Sequence, residues 1–341
     1  MRPPEFWKAD VRGRDSVVIL RALLTPVSWA YAWAAAHRIK TTAPRHAPVP
    51  VICIGNFTVG GAGKTPVARA IRAKLGETAH TLSRGYGGQL PGPLRVTPGM
   101  SAQQVGDEPL LHASDGPAWI ARDRVAGALA AANNGAHAIV MDDGFQNPEL
   151  AKDLSIIVVD PAFGIGNGSV FPAGPLRERL RDGLQRADAI VLLGSPAPSP
   201  VIDEAHGEDA GETPAVQDWR TDFSKPILHA RLELTGEAPA GKYVAFAGLA
   251  RPEKFFDTLA TLGVEVEDMV PYPDHHPYSD DNLDFLTRLA TERGAKLITT
   301  EKDAARLSPE WRARVEVLPV TARFEDEAAL DALLAPIRAR M

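Results

Sequence analysis

A glycine-rich loop, GGAGKT at residues 60–65, contains the residues best suited to hold phosphate groups. Successive backbone N–H groups in such a loop, together with the N-terminus of the following helix, bind anions. Lys64 would add a positive charge for the β- and γ-phosphates of a nucleotide, and Thr65 a hydroxyl ligand for Mg²⁺. Thr58 stands where the full G-x-x-x-x-G-K-[ST] pattern has its first glycine. The loop predicts nucleotide binding but not which reaction follows. The predicted phosphate-binding residues are Thr58, Val59, Gly60, Gly61, Ala62, Gly63, Lys64 and Thr65.

Two pairs of adjacent carboxylates could complete a nucleotide site. Asp142 and Asp143 follow the apolar run 138–141, where the sheet of a nucleotide-binding protein carries an acid for Mg²⁺. Asp107 and Glu108 stand at the predicted start of a helix, where carboxylates also serve as caps. An Asp-Asp-Gly turn alone is more often a solvated turn. Beside the phosphate loop, we interpret the first pair as metal ligands.

Loops elsewhere in the chain supply histidines and arginines. The segment PYPDHHPY at 271–278 contains His275 and His276, and the chain lacks the Cys/His spacing of a zinc site. A histidine pair in a loop is often surface decoration. If this loop folds over the nucleotide-binding part, a histidine could orient a carboxylate that takes a proton from an attacking hydroxyl. Three arginines are each either a solvated charge or a phosphate clamp: Arg84, Arg177 and Arg179.

The segments around these residues alternate between apolar runs and helical patterns, which is typical of a parallel sheet covered on both faces. Strands are predicted at 49–54, 78–82, 118–121, 138–141, 154–159 and 189–193, and helices at 65–75 and 124–133. Further strands are predicted at 227–234, 243–248, 296–300 and 315–320, with helices at 252–263 and 279–294. The predicted fold is α/β: a P-loop NTPase-like, mostly parallel sheet flanked by helices, with a smaller C-terminal α/β domain and an N-terminal membrane-associated helix.

The length and composition of the chain limit which domain organisation and which functions are possible. A chain of 341 residues with 45% hydrophobic content predicts two domains. We expect residues 1–45 to form an N-terminal helical region, 46–225 the P-loop domain and 226–341 the smaller domain, with 195–215 as a surface excursion. The net charge of −6 argues against a surface devoted to nucleic acid. The single cysteine, Cys53, excludes an internal disulfide and indicates a reducing compartment.

The N-terminal segment 17–37 is apolar and aromatic, with basic residues on both sides. A spanning helix needs roughly 20 uninterrupted apolar residues, and Arg21 and Pro26 interrupt this one. Acidic residues before it argue against a signal peptide. Two interpretations are left open by the segment alone. We prefer a helix in the membrane interface, with its tryptophan and tyrosine side chains at headgroup depth; an amphipathic helix packed on the protein's own core is the alternative.

Seven motifs in order resemble those of the tetraacyldisaccharide 4'-kinases, the lipid A 4'-kinases of Gram-negative bacteria. They are GNFTVGGAGKTP, LSRGYGG, VGDEP, DDGFQ, GPLRE, PDHHPY and TTEKDAARL. The resemblance runs from the N-terminal helix to about Leu307, and the family's loop has the same form around Thr58. It implies that ATP phosphorylates the 4'-hydroxyl of an acylated glucosamine disaccharide 1-phosphate at the cytoplasmic face of the inner membrane. It implies neither a nucleic acid nor a protein partner.

The resemblance also implies roles for individual residues. The catalytic residues would be Asp107, His275, Lys64 and Arg177, and the Mg²⁺ ligands Thr65, Glu108, Asp142 and Asp143. Asp107 would be the general base, paired with His275, and His276 is the alternative partner. We expect hinge closure around ATP, with 227–248 as the hinge strands. The residues alone would also fit another ATP-dependent ligase, an NTP-driven switch or a non-enzymatic ATP-sensing scaffold at the membrane.

Overall fold

The computed structural model describes residues 4–8, 15–61, 63–194 and 219–341, so Ala62 of the loop and the excursion at 195–215 lie outside the described residues. Its strands are β1 Val51–Gly55, β2 Ala79–Ser83, β3 Leu94–Val96, β4 Ala118–Ile120, β5 Ala138–Asp142, β6 Leu154–Val159, β7 Ala189–Gly194, β8 Ile227–Leu234, β9 Lys242–Ala247, β10 Glu265–Pro271, β11 Lys296–Thr300, β12 Val315–Leu318 and β13 Val320–Phe324. Its α-helices are α1 Asp15–Thr41, α2 Lys64–Leu75, α3 Ala102–Val105, α4 Asp107–Asp115, α5 Arg124–Asn133, α6 Leu180–Arg186, α7 Glu253–Thr261, α8 Asp280–Arg293, α9 Glu301–Ala304, α10 Pro309–Arg312 and α11 Glu327–Arg338.

The larger sheet has the strand order β13-β8-β7-β6-β1-β5-β2-β4-β3. The seven strands from β8 to β4 are parallel, and the two edge strands, β13 and β3, are antiparallel to their neighbours. Successive residues of β1 enter opposite cores: Val51 and Cys53 pack with α5, and Ile52 and Ile54 pack with α2 and α11. Both faces are therefore covered, as the continuous apolar strands predict.

The smaller sheet is wholly parallel, in the order β10-β9-β11-β12. Phe255 of α7 packs on one face and Leu283 of α8 on the other. Helix α8 begins as predicted, since the Ser279 hydroxyl accepts a hydrogen bond from the backbone N–H of Asn282 at 3.3 Å.

The two sheets do not divide the chain at residue 226, where the smaller domain was predicted to begin. Strands β8 and β13 and helix α11 belong to the larger sheet and its core. The segment predicted as one strand at 315–320 is two, because Pro319 separates β12 in the small sheet from β13 in the large one. An apolar run indicates a strand, but it does not indicate which sheet the strand joins.

The chain passes between the sheets twice, through residues 235–241 and through Pro319. The two connections touch, since the backbone N–H of Thr235 donates to the Pro319 carbonyl at 2.9 Å. The predicted hinge strands lie inside hydrogen-bonded ladders on either side. Any bending between the sheets is therefore expected at these connections rather than in the strands.

Helix α1 continues through Arg21 and Pro26, where we expected the apolar run to be interrupted. The Arg21 guanidinium donates to the backbone carbonyls of the preceding segment, including that of Lys8 at 2.9 Å. The helix contacts the body of the protein through a narrow stripe, where the Ser28 hydroxyl accepts a hydrogen bond from the Ala173 N–H at 3.0 Å. Most of its large apolar side chains are exposed, which disagrees with an amphipathic helix packed on the core. By length and composition, Ser16–Thr41 could cross a membrane.

Candidate active site

The phosphate loop joins the end of β1 to the start of α2, as predicted. Gly63, immediately before the helix, has φ +79°, and a Cβ there would lie 2.3 Å from Leu193 Cδ2. Only glycine fits this position, because it tolerates positive φ and has no side chain to clash with β7. Lys64 and Thr65 then lie in the first turn of α2, at the positive end of the helix dipole.

Two side chains hold the backbone of this loop. The Asn56 side-chain amide donates to the carbonyls of Thr58 at 2.7 Å and Gly60 at 3.2 Å. Arg177 Nε also donates to the Thr58 carbonyl, at 3.1 Å. Because the C=O and N–H of one peptide point in opposite directions, fixing the Gly60 carbonyl turns the Gly61 N–H away from Asn56. The loop is thus held in a form that can present amides to an anion.

Asp143 joins the two basic residues that face the loop. Its Oδ1 lies 3.6 Å from Lys64 Nζ and 2.9 Å from Arg177 Nη1. Burial opposes ionisation, but the charges of Lys64 and Arg177 outweigh it and lower the pKa of Asp143 to about 2. Asp143 has φ +55°, which is unusual for a residue with a side chain. The carboxylate therefore holds both cations near the loop at neutral pH.

Asp142 faces the other way and is almost completely buried. Its Oδ2 accepts a hydrogen bond from the Thr65 hydroxyl at 3.0 Å and lies 2.9 Å from His112 Nε2. Its Oδ1 is buried and has no hydrogen-bond partner among the described residues. A buried carboxylate oxygen without a partner is costly, so this atom is suited to a cation or to a water on a cation.

Asp107 begins helix α4 and is 4% exposed. Its Oδ1 accepts a hydrogen bond from the Glu108 N–H at 2.9 Å. Its Oδ2 lies 3.0 Å from His275 Nδ1 and accepts a hydrogen bond from Arg306 Nε at 2.8 Å. Gly106 precedes it with φ +91°, where a Cβ would meet the Tyr86 carbonyl at 2.4 Å. Each sheet with its packed helices forms one unit. Asp107 belongs to the larger unit, and its carboxylate is in contact with His275 and Arg306 of the smaller unit.

The structure brings His275 to Asp107 and places His276 elsewhere. The His276 ring stacks on Tyr272 with centroids 4.6 Å apart, and its Nε2 lies 2.9 Å from Asn282 Oδ1. His275 has φ +57°, and its ring packs against Tyr86 with centroids 5.5 Å apart. Backbone strain of this kind often occurs at functional sites.

Charges from the smaller unit set the ionisation of Asp107. Burial alone would raise the pKa of this carboxyl, but the hydrogen bond with His275 and the charges of Lys302 and Arg306 lower it well below its usual range. Lys302 Nζ also lies 3.0 Å from Glu108 Oε1 and 3.5 Å from His275 Nε2. Glu108 is therefore paired with a lysine, whereas a role as metal ligand was predicted.

A second contact between the units lies at the phosphate loop itself. Arg251 Nη2 donates to the Gly61 carbonyl at 3.0 Å, and the same guanidinium forms an ion pair with Asp160, which follows β6. Lys254 also pairs with Asp160, which is almost completely buried. The smaller unit thus touches both Asp107 and the phosphate loop.

Sequence reasoning missed several of these residues and left others without a role. Asn56, His112, Asp160 and Arg251 were missed; Lys302 and Arg306 lie in the TTEKDAARL motif but received no function. The sequence gives one indication that His112 could belong to the site: it lies one helical turn after Glu108 and therefore on the same face of the helix. Arg84 and Arg179, considered as phosphate clamps, are exposed, whereas Arg177 contacts Asp143. Cys53 is fully buried, and burial raises its pKa to about 12, as expected for an inert core thiol.

The chain is similar to known proteins over nearly its whole length. A family model described as tetraacyldisaccharide-1-P 4'-kinase matches residues 20–338. The tetraacyldisaccharide 4'-kinase of Hyphomonas neptunium is 49% identical over 343 residues, covering 99% of this chain and 98% of the relative. That of Maricaulis maris is 48% identical, covering 98% and 96%. The chain also resembles a crystal structure of the "apo" form of LpxK from Aquifex aeolicus in complex with ATP, with a TM-score of 0.71 and 29% identity, covering 93% of this chain and 99% of that one. The family match extends well beyond Leu307, where we expected the resemblance to end.

Proposed function

The chain belongs to the tetraacyldisaccharide-1-P 4'-kinase family, and from that premise we propose how its residues carry out the reaction. The enzyme transfers a phosphoryl group from ATP to the 4'-hydroxyl of the disaccharide in lipid A biosynthesis. The fold agrees with this activity, because the phosphate loop, the carboxylates after β5 and the start of α4 lie near one another at one edge of the larger sheet.

The phosphate loop and Lys64 bind the ATP phosphates. The amides held in place by Asn56 and the N-terminus of α2 provide hydrogen-bond donors, and Lys64 provides a charge. Asp143 keeps Lys64 and Arg177 beside the loop, so we assign it to positioning these cations rather than to metal binding. Arg177 then lies where it can stabilise charge on the transferred phosphoryl group.

Mg²⁺ fits the oxygens around Asp142. Its buried Oδ1 has no partner in the part of the chain that the structure describes, and the Thr65 hydroxyl is hydrogen-bonded to the same carboxylate. Among the residues that the structure describes, no three His, Cys, Asp or Glu side chains form a metal cage, which agrees with an ion held partly by nucleotide phosphates. Bound Mg²⁺ would neutralise charge on the β- and γ-phosphate oxygens. Glu108 could contribute only after it separates from Lys302.

Asp107 receives the proton of the 4'-hydroxyl, and His275 orients the carboxylate. A sugar hydroxyl is too weakly acidic to ionise in advance, so alignment and charge stabilisation dominate and the proton leaves late. The low pKa of Asp107 agrees with this order, because the carboxylate is ionised at neutral pH but is a weak base. The observation that carries this proposal is the contact of 3.0 Å between His275 Nδ1 and Asp107 Oδ2.

A transfer assay with point variants tests the proposal. Purified protein, Mg²⁺ and γ-labelled ATP are combined with tetraacyldisaccharide 1-phosphate in detergent micelles, and label in the lipid is measured. We expect turnover of Asp107→Ala to fall by about 10²-fold or more, His275→Ala to fall less, and both to bind ADP as the wild type does. His276→Ala is the matched control and should keep its turnover. Equal activity of the His275→Ala and His276→Ala variants would contradict the assignment.

We also propose that α1 holds the enzyme at the cytoplasmic face of the inner membrane, where its lipid substrate lies. Leu23, Trp29 and Trp33 are 70%, 67% and 65% exposed, which is unusual for such side chains in water. The wild type should float with vesicles containing anionic lipid, and the double variant Trp29→Ser, Trp33→Ser should float less. If the double variant also lost activity toward the substrate in detergent micelles, the loss would instead indicate misfolding.

A further inference from the structure

His112 and Asp142 form a buried pair, and the reaction proposed above gives His112 no role. Both side chains are only 1% exposed, and His112 Nε2 lies 2.9 Å from Asp142 Oδ2. His112 belongs to α4, the helix that begins with Asp107 and Glu108, whereas Asp142 ends β5. The pair therefore joins the helix that carries the base to the strand that carries the proposed metal ligand.

The hydrogen bond between His112 and Asp142 has a defined direction. Asp142 as a carboxylate can only accept, so the hydrogen lies on His112 Nε2 and is donated to Oδ2. His112 Nδ1 is buried without a partner among the described residues. Nε2–H is a donor whether or not Nδ1 also carries a hydrogen. His112 thus directs one donor at one carboxylate oxygen.

The two donors to Asp142 act on the same atom. Thr65 Oγ1 and His112 Nε2 both contact Oδ2, whereas Oδ1 has no hydrogen-bond partner among the residues that the structure describes. A carboxylate held by two donors on one oxygen cannot rotate without breaking both bonds. Oδ1 is therefore held in one direction before any ligand arrives.

We propose that His112 is the positioning residue of the metal site: its Nε2–H fixes Asp142 so that Oδ1 is presented to Mg²⁺. This inference rests on the proposed function of Asp142 as a metal ligand. By the same contact His112 fixes helix α4, which carries Asp107, relative to β5. The base and the metal site are therefore kept in a fixed relative position. Partners that orient a ligating side chain typically affect metal affinity by 10- to 100-fold.

Mn²⁺ binding tests this role without relying on catalysis. The free Mn²⁺ signal in electron paramagnetic resonance gives the Mn²⁺ affinity of the full-length protein saturated with ADP. In His112→Gln the side-chain amide can reach the position of Nε2 and donate to Asp142, so the affinity should stay within about threefold of the wild type. In His112→Leu the donor is lost while the apolar volume is kept, and the affinity should fall about tenfold. ADP affinity measured in EDTA should be the same in all three proteins.

Two comparisons separate the failure of this inference from the failure of the metal assignment. Asp142→Asn should weaken Mn²⁺ binding strongly; if it does not, the proposed metal site is wrong. If Asp142→Asn weakens binding but a folded His112→Leu does not, His112 is only a core residue and the inference is overturned. Should His112→Leu fail to fold, His112→Asn replaces it, since its shorter amide cannot reach Asp142. Equal Mn²⁺ affinities of His112→Asn and His112→Gln would then overturn the inference.

Discussion

The two halves of the site are built in different ways. The nucleotide half, which includes Asn56, Thr65, Asp142 and Asp143, is formed by the larger sheet, its helices and the loops between them, and the smaller unit reaches it through Arg251 at the Gly61 carbonyl. The base half, named for the role that we propose for Asp107, consists of Asp107 from that unit and of His275, Lys302 and Arg306 from the smaller one. Apart from the Arg251 contact, the hydrogen bonds and ion pairs described for the first half lie within the larger unit. The other exists only while the two units are in contact.

This difference separates nucleotide binding from proton transfer. The loop around Gly61 can bind phosphate without help from the base, whereas Asp107 loses its partners if the small unit moves away. Movement at residues 235–241 and Pro319 would therefore change the base more than the phosphate loop. Substitutions in the two halves should therefore affect different quantities, namely ATP affinity in the nucleotide half and turnover in the base half.

The largest expected effects come from one substitution in each half. Asp107→Asn keeps the shape of the side chain but removes the base, so turnover should fall by about 10²- to 10⁴-fold while ATP affinity is unchanged. Lys64→Met removes a charge from the phosphate loop, so ATP affinity should fall by about tenfold or more. Turnover and equilibrium binding of a fluorescent ATP analogue measure both. If Asp107→Asn weakened ATP binding as much as Lys64→Met, the two halves would not be separate.

The next largest effect concerns the contact between Arg306 and Asp107. Both side chains are almost completely buried, so Arg306→Gln leaves a carboxylate with fewer partners and should lower the free energy of unfolding by roughly 3 kcal/mol. ATP affinity should change little. Urea unfolding measures the first quantity and nucleotide titration the second.

The pH dependence of that loss follows from the pKa of Asp107. Its native pKa lies below the ordinary value of about 3.9, so its ion pairing stabilises the protein fully above pH 4. This contribution is lost as the pH falls through the lower native pKa. The difference in stability between wild type and Arg306→Gln should therefore be equal at pH 6 and pH 8 and should shrink below pH 4. A difference that grew on acidification would mean that Asp107 is not the partner that matters.

A smaller effect is expected where the small unit touches the phosphate loop. Arg251→Gln weakens a contact to the Gly61 carbonyl and the ion pair with Asp160, so ATP affinity should fall about fivefold, equivalent to about 1 kcal/mol. Isothermal titration with ATP measures this change. Arg323→Gln, on the outer strand β13, is an exposed control and should bind ATP normally. An equal loss in both variants would point to overall charge rather than to this contact.

The nucleotide half was largely predictable from the sequence. The loop, the strand before it and the helix after it are contiguous, and the observed helix α2 differs from the predicted one by a single residue at its start. Helix α5 and strand β6 were predicted with their observed bounds. Local sequence patterns are enough to predict a site when all of its residues lie within one strand–loop–helix segment.

The base half depends on contacts between distant segments. Arg306 and Asp107 are separated by 199 residues, and no spacing rule relates them. The pairing of Asp107 with His275 was expected only because the family motifs imply it. His112 was missed because its partner Asp142 lies on another element. Likewise, nothing in the run 227–234 shows that β8 joins the larger sheet.

The smallest effect should come from an interface pair outside the site. Arg69 of α2 lies 3.0 Å from both carboxylate oxygens of Glu301, which begins α9. Glu301→Gln should lower the free energy of unfolding by about 1 kcal/mol or less, since Arg69 keeps its contact with Asp115.

Turnover of Glu301→Gln reports whether contact between the units, or only the groups at the base, limits the reaction. We expect less than a threefold change, because Arg306 and His275 still bring the units together at Asp107. Lys242→Gln is the control, since that exposed lysine pairs with Glu265 and Glu267 of the neighbouring strand in the small sheet and should change nothing measurable. A loss of turnover in Glu301→Gln as large as that in His275→Ala would show that the whole interface, rather than the histidine, sets the position of the base.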